Sequence, residues 1–278
     1  MTPSAEPQRT GCRLIHLVAD YGAGDLAFAE VVQRLALALP DTVVHPVVVA
    51  PYDTLAAGFC VAQLLLNDGP SDRIVVHDVT AGGDEAGPGG EGPRFCVGRT
   101  RAGVLAVGPN AGWSWSFAVD ELRGLCYLDV PADGSHFRSR DRLPVAIAHV
   151  VAGHPHAICG TVPSARVPPV PEGVIAYVDG YGDLETTLSR PPAASGDRVV
   201  VSIGGVSATA IVADSPVAVA EGELALAPGS SGWPTGDGAH RRFLELSLRG
   251  GSAARRFADP ATGTPVALTP AGAVQPAR

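Results

Sequence analysis

The sequence predicts an α/β + β architecture: an N-terminal, mostly parallel α/β sandwich domain followed by a C-terminal antiparallel β-barrel or sandwich domain. Three features carry this expectation. Apolar runs and helical periodicity alternate as strand, helix, strand, helix, strand over residues 14–79, the pattern of a parallel sheet covered on both faces. A stretch with four prolines, 162–171, then interrupts the chain. Beyond it come short β runs separated by Gly, Asp and Pro, as in small all-β domains.

Each element follows from its local pattern. Residues 1–12 are polar and read as a flexible N-terminus. Residues 14–18 form a short apolar run ending at Asp20-Tyr21-Gly22, a buried strand followed by a glycine turn. Leu26, Val31, Leu35 and Leu39 recur near helical spacing until Pro40 stops them. Residues 43–49 make a second strand, Pro51-Tyr52-Asp53 opens a helix that runs to Leu66, and 74–79 make a third strand. The Gly- and Glu-rich segment 81–93 reads as a mobile loop. Strands follow at 94–97 and 104–107, then the turn Gly108-Pro109-Asn110, and 142–152 form a buried helix with Pro144 in its first turn. The first domain thus spans 13–161. A stiff linker follows at 162–172. The β domain, 173–278, has strands expected over 174–178, 184–188, 199–203, 208–212, 223–226 and 243–248.

Composition narrows the function. In 278 residues, hydrophobic side chains make up 46% and charged ones 17%, enough for packed cores and against disorder. A net charge of -8 with scattered Arg lacks the concentrated basic face that nucleic acid requires. Lysine is absent, which excludes Schiff-base chemistry and a P-loop lysine. Five widely spaced cysteines without a C-x-x-C pair read as small buried thiols in a reducing compartment. No apolar run approaches the ~18 residues that span a bilayer, and residues 1–11 carry no apolar signal core. A cytoplasmic protein with no membrane partner is expected. His154 and His156 alone approach ligand spacing, in a Gly/Pro turn without carboxylates, so no metal is expected.

Four motifs carry chemical potential, each with an ordinary structural reading beside it. In Asp20-Tyr-Gly-Ala-Gly-Asp25, after the first strand, Asp20 is placed to hold a ribose diol, while Asp25 either does the same or caps the next helix. In Phe137-Arg-Ser-Arg-Asp141, Ser139 is either a helix cap or a donor facing a ligand. Asp179-Gly-Tyr181-Gly-Asp183 is fully explained as a hairpin turn. Gly229-Ser230-Ser231-Gly232 and Gly250-Gly251-Ser252 are explained as glycine turns.

Taken in order, these blocks resemble one family. Asp20-Tyr-Gly-x-x-Asp25, Pro51-Tyr52-Asp53, Gly108-Pro-Asn110-x-Gly112, Phe137-x-Ser139-Arg-Asp141, Ile175-x-x-x-Asp179-x-Tyr181-Gly, Gly229-Ser230-x-Gly232 and Gly250-Gly251-Ser-Ala-Ala254 fall where the S-adenosylmethionine hydroxide adenosyltransferases, chlorinases and fluorinases carry related blocks. The resemblance covers about residues 13–257. It implies an N-terminal nucleoside-binding domain and a homotrimer with sites between subunits. It also implies S-adenosylmethionine as a small-molecule substrate, with methionine displaced from C5′ by water or halide. Asp20 would bind the ribose hydroxyls and Tyr52 would wall the sugar, with Asn110 nearby. Phe137 and Ser139 would line the nucleophile pocket, Ser139 matching the serine of the fluorinases. Asp179 would bind the methionine ammonium beside Tyr181 and Asp183, Ser230 and Ser231 would lie at its carboxylate, and Gly250 and Gly251 would offer backbone atoms to adenine.

Departures from the family pattern are as informative. The Asp–Arg–His set that activates water in hydroxide-forming relatives has no simple counterpart. With Pro70 aligned, Thr80 takes the Asp position, and a two-residue slip gives Asp78 instead. Arg94 is the candidate for the Arg, and Arg138 replaces the His. Arg138 is a cation that suits a halide better than neutral water. Asp183 replaces an Asn, Glu185 stands near the place of a tryptophan, and Ser231 replaces an Arg, so the amino-acid end of the pocket is more acidic and would repel a carboxylate. Substitution at C5′ is therefore weighed against a cyclisation or elimination on the same scaffold, and against a non-catalytic binding protein.

Overall fold

The computed structural model describes residues 12–80, 82, 93–131 and 133–271. The loop read at 81–93 falls almost entirely outside the described residues.

The first half is built on a seven-stranded sheet of β1 (Arg13–Ala19), β2 (Thr42–Val48), β3 (Ile74–Asp78), β4 (Phe95–Thr100), β5 (Leu105–Pro109), β6 (Leu122–Leu128) and β7 (Ile158–Thr161), in the order β2-β1-β3-β5-β4-β6-β7. Strands β2, β1, β3 and β5 pair in parallel. The other three pairings are antiparallel. The expected mostly parallel sheet is thus parallel in one half only. The short turn between β4 and β5, closed by Gly103 N donating to Thr100 O, permits only a hairpin, because a parallel return needs a crossover of a dozen residues or more.

Helix α1 (Leu26–Ala38) begins at Asp25, whose carboxylate accepts from Ala27 N at 2.9 Å, and buries Phe28, Val31 and Leu35 on one face. Helix α2 (Thr54–Leu66) starts at Asp53, which accepts from Ala56 N at 2.9 Å. It is apolar nearly all round because it lies between the first sheet and the β domain. Gly58 allows that fit: a Cβ there would sit 2.3 Å from the Trp113 carbonyl oxygen. Short α3 (Arg138–Asp141) leads into α4 (Leu143–Val151), which has Pro144 in its first turn.

The second half is another seven-stranded sheet of β8 (Ile175–Val178), β9 (Leu184–Thr186), β10 (Arg198–Ile203), β11 (Val206–Val212), β12 (Leu224–Pro234), β13 (His240–Leu248) and β14 (Val266–Pro270), in the order β14-β10-β11-β12-β13-β9-β8. Its two edges meet at one end, where Val174 bridges Pro265 and Val266 N donates to Gly173 O at 2.7 Å. The sheet is therefore a curled, partly closed barrel. Two expectations are corrected. The sheet is not wholly antiparallel: β11 and β12 are parallel, joined by a crossover that contains a single 3-10 turn at Pro216–Ala218. Nor is Gly229–Gly232 a turn between strands. It is an irregularity inside β12, where the pairing with β13 slips between Pro228 and Gly232. Short α5 (Ala253–Arg256) is capped by Ser252.

The halves share one core. Phe59 of α2 and Phe117 meet Tyr177, Trp233 and Phe243 of the β sheet, with neighbouring ring centroids 5.6–6.0 Å apart. Asn67 Nδ2 donates to Gly232 O at 2.7 Å, and Gly232 N donates to Gln63 Oε1 at 2.9 Å. The segment expected as a stiff linker packs here too: Val167 and Val170 lie on this core, and Ser116 Oγ donates to Pro168 O at 2.6 Å. Of the cysteines, Cys60 and Cys96 are buried, whereas Cys12 and Cys159 are exposed, which corrects the uniformly buried reading. No helix among the described residues is long and apolar enough to cross a membrane.

Candidate functional site

Asp20 follows β1, and Asp78 ends β3, with Ala19 and Asp78 paired in register. Both carboxylates therefore stand at the carboxyl edge of adjacent parallel strands, where ligands bind in open α/β sheets. Asp78 is buried, and two hydroxyls converge on it: Ser139 Oγ donates to Oδ1 at 2.6 Å and the Tyr21 hydroxyl donates to Oδ2. Burial raises Asp78 to about 6, against the pull of these two donors; Asp20 adds to the rise and Arg138 opposes it. The Tyr21 phenol is raised in turn, by burial and by the adjacent Asp78. Asp78 is thus a carboxylate able to take up a proton close to neutral pH.

The corner carrying Ser139 is held from several sides. Ser135 Oγ accepts from Phe137 N at 2.9 Å and donates to Asp141 at 2.7 Å. Arg140 joins Asp141 at 2.7 Å and Glu30 of α1 at 3.0 Å. Phe137 meets the Tyr21 ring edge-on at 5.7 Å. Arg138 lies over the Phe95 ring and donates to Pro93 O at 3.0 Å. Ser139 caps neither α3 nor α4, so the cap reading is overturned: it sits inside α3 with its hydroxyl committed to Asp78. Asp78, not Thr80, is the acid at this corner, and Thr80 makes no hydrogen bond there among the described residues.

Asp20 accepts from Tyr52 N at 2.8 Å, joining the β1 edge to the β2–α2 turn. Tyr52 has a left-handed backbone, φ 62°, and its ring lies against Gly82. It also lines a cavity of about 530 Å³ between the halves, with Trp113, Tyr177, Val178 and Ala254 among its walls. Asp25 is an exposed helix cap. Asn110 Nδ2 donates to Arg166 O at 3.2 Å and so ties down the chain between the halves. Arg94 lies over the Tyr127 ring and against Cys159, with no contact to Asp78 among the described residues. The other side of β3 holds His77, fully buried against Trp115, its ring nitrogens without hydrogen-bond partners among the described residues; burial lowers it to about 3.

The β-domain candidates form a second group. Asp179 Oδ1 accepts from Tyr181 N and Asp183 N, both at 2.9 Å, which makes Asp179 the closing acceptor of the β8–β9 turn, with Tyr181 exposed. Asp183 is raised to about 6 by burial and by the acids Asp179 and Glu245. Ser230 and Ser231 stand in the β12 irregularity beside Glu245 and Glu185, and Ser230 N donates to Glu245 Oε2 at 3.4 Å. Gly250, at φ 79°, and Gly251 turn β13 into α5. The two groups share no hydrogen bond within one chain among the described residues.

Sequence reasoning missed Tyr21 and Glu245 as members of these groups. Tyr21 had one signal, a polar aromatic at the end of an apolar run. For Glu245 there was one too, an acid placed inside an otherwise apolar strand.

Neither a protein family nor a curated protein matches the chain. Solved structures do. An uncharacterized conserved protein from Thermotoga maritima is similar with a TM-score of 0.71 and 19% identity, over 91% of this chain and 99% of that one. A conserved hypothetical protein from Thermus thermophilus is similar with a TM-score of 0.63 and 26% identity, over 92% and 99%.

Proposed function

We propose that this protein cleaves S-adenosylmethionine by substitution at C5′ with water as the nucleophile. Methionine would leave as a neutral thioether, with sites completed between subunits of a homotrimer. The observation that carries this is Asp78, a buried carboxylate receiving the Ser139 hydroxyl at the carboxyl edge of the parallel strands. A sulfonium is already a good leaving group, so the protein has to hold a water in line behind C5′, exclude bulk solvent and accept one proton. Water oxygen forms the bond to C5′ as the C5′–S pair departs with sulfur. The water proton passes to Ser139 Oγ while the Ser139 proton passes to Asp78 Oδ1. Asp20 takes the ribose hydroxyls, and Tyr52 stands beside it as the wall.

Asp78 also favours water over halide. Above about pH 6 it is an anion, and a second anion placed beside it is repelled. Arg138, the cation that acts on Asp78, is already turned to Pro93 O and the Phe95 ring, and Arg140 is paired with Asp141 and Glu30. Incubation with S-adenosylmethionine in ¹⁸O-labelled water is expected to give adenosine carrying one ¹⁸O, at a rate that rises with pH through about 6. Release of a 5′-halo nucleoside instead would remove the water assignment, and no methionine release under any condition would remove the reaction. A second reading, another reaction on this scaffold, is favoured by the acids Asp183, Glu185 and Glu245 in the β domain, which suit a substrate without a carboxylate.

A further inference from the structure

We infer that the carboxyl cluster of the β domain, Glu185, Glu245 and Asp183, binds an organic ammonium and disfavours a carboxylate, so that an adenosyl sulfonium ending in an amine is held in preference to S-adenosylmethionine itself. The ammonium site stands on the geometry of the β domain. Its assignment to the substrate rests on the sulfonium reading above.

Glu185 on β9 and Glu245 on β13 are directly paired across the sheet. They are 3% and 7% exposed. Two like charges facing each other inside a sheet are destabilising, and a buried charge is costly unless it is compensated. Partial compensation is present: Ser247 Oγ donates to Glu245 Oε1 at 2.5 Å, and Ser230 N to Oε2 at 3.4 Å. Glu185 Oε2, however, is buried without a hydrogen-bond partner among the described residues. It lies against Gly229, where a Cβ would come within 2.7 Å of it and push the carboxyl aside. Burial raises Glu185 to about 8, against the pull of Ser231, and both the charge of Glu245 and a hydrogen bond to it add to the rise, so that without a ligand the facing carboxyls share a proton that an ammonium would replace. Asp183, at the end of the same turn, is raised for similar reasons, with Ser247 as a further neighbour. No ion pair among the described residues brings an Arg to these three acids. A cluster of three acids with an orphaned buried oxygen and no internal cation is satisfied by a ligand that brings N–H donors and positive charge. An ammonium meets both needs, and a carboxylate meets neither.

The test is calorimetric binding of three probes: S-adenosylmethionine, its decarboxylated analogue and 1,3-diaminopropane. Wild type is measured beside Glu185→Gln and Glu245→Gln. The decarboxylated sulfonium is expected to bind at least ~10-fold more tightly than S-adenosylmethionine, equivalent to about 1.4 kcal/mol. Either Gln variant should erase that preference while still binding S-adenosylmethionine, which reports an intact fold. Equal affinities, or tighter S-adenosylmethionine, overturn the amine assignment and leave the sulfonium chemistry standing. If neither sulfonium binds but the diamine binds and Glu185→Gln abolishes it, the ammonium site stands and its assignment to the sulfonium substrate falls. If no probe binds, both fall.

Discussion

Replacing Asp78 by Asn separates what the buried carboxyl costs the fold from what it does in the site. In the folded protein Asp78 releases its proton near pH 6, and in the unfolded chain near its ordinary 3.8. Between those values the folded state holds a proton that the unfolded state has lost. The contribution of Asp78 is therefore greatest below 3.8 and is lost as pH rises through about 6. The gap of about two pH units, at about 1.4 kcal/mol each, makes ~3 kcal/mol, of which ~2 kcal/mol lies between about pH 4 and pH 7. Asn keeps the shape and does not titrate. Urea unfolding of wild type and Asp78→Asn at both pH values should then show the stability difference moving by ~2 kcal/mol in favour of Asn at the higher pH. Asp183, which also titrates near 6, is present in both proteins and cancels in the difference. A flat difference would mean that Asp78 is solvated and not enclosed. A difference moving the other way would mean that the Tyr21 and Ser139 donors outweigh burial and hold the carboxylate ionised.

Other substitutions probe the remaining joints. Tyr21→Phe removes a donor that favours ionised Asp78, so the rising limb of the pH–rate profile should move to higher pH; an unmoved limb would exclude Tyr21 as a positioning residue. Ser139→Ala should lower turnover by ~10²–10⁴ if its hydroxyl relays the proton, and wild-type turnover would remove Ser139 from the reaction. Gly108→Ala drives a Cβ to within 2.3 Å of the His77 ring, which has Trp115 behind it, and should cost ~1–3 kcal/mol or more in urea unfolding. Phe59→Ala, at the meeting of both sheets, should cost ~3–5 kcal/mol in a single transition; two separable transitions in wild type would deny the shared core.

What could be read from the sequence divides along a physical line. Elements that bury a full face announce themselves locally. Helix α1 shows Val31, Leu35 and Leu39 at near-helical spacing before Pro40, all three buried, although Leu26, read on the same face, is exposed and Phe28 takes its place; β3 is buried at every position. Strand β6 breaks its apolar run with Arg123 and Gly124, and β7 is exposed throughout. Neither forms a pattern until β4 supplies the edge on which β6, and then β7, pairs. Strand β12 defeats local reading for the opposite reason: it continues through Pro228 to Gly232, residues that end most strands, because β13 lies alongside to absorb the slip in register. The site follows the same rule. The cap was one of two readings that the motif offered for Asp25, and it could be offered because the partner, Ala27 N, is two residues away. Asp78 could not be told from Thr80, since the donors that select it come from Tyr21 and Ser139, 57 and 61 residues distant. Residue types at a site are written into local motifs, but the raised titration of Asp78 is created by burial among partners far along the chain. The electrostatics of this corner therefore belong to the fold and not to any one motif, and substitutions at Tyr21 or Ser139 should change the titration of Asp78 without touching it.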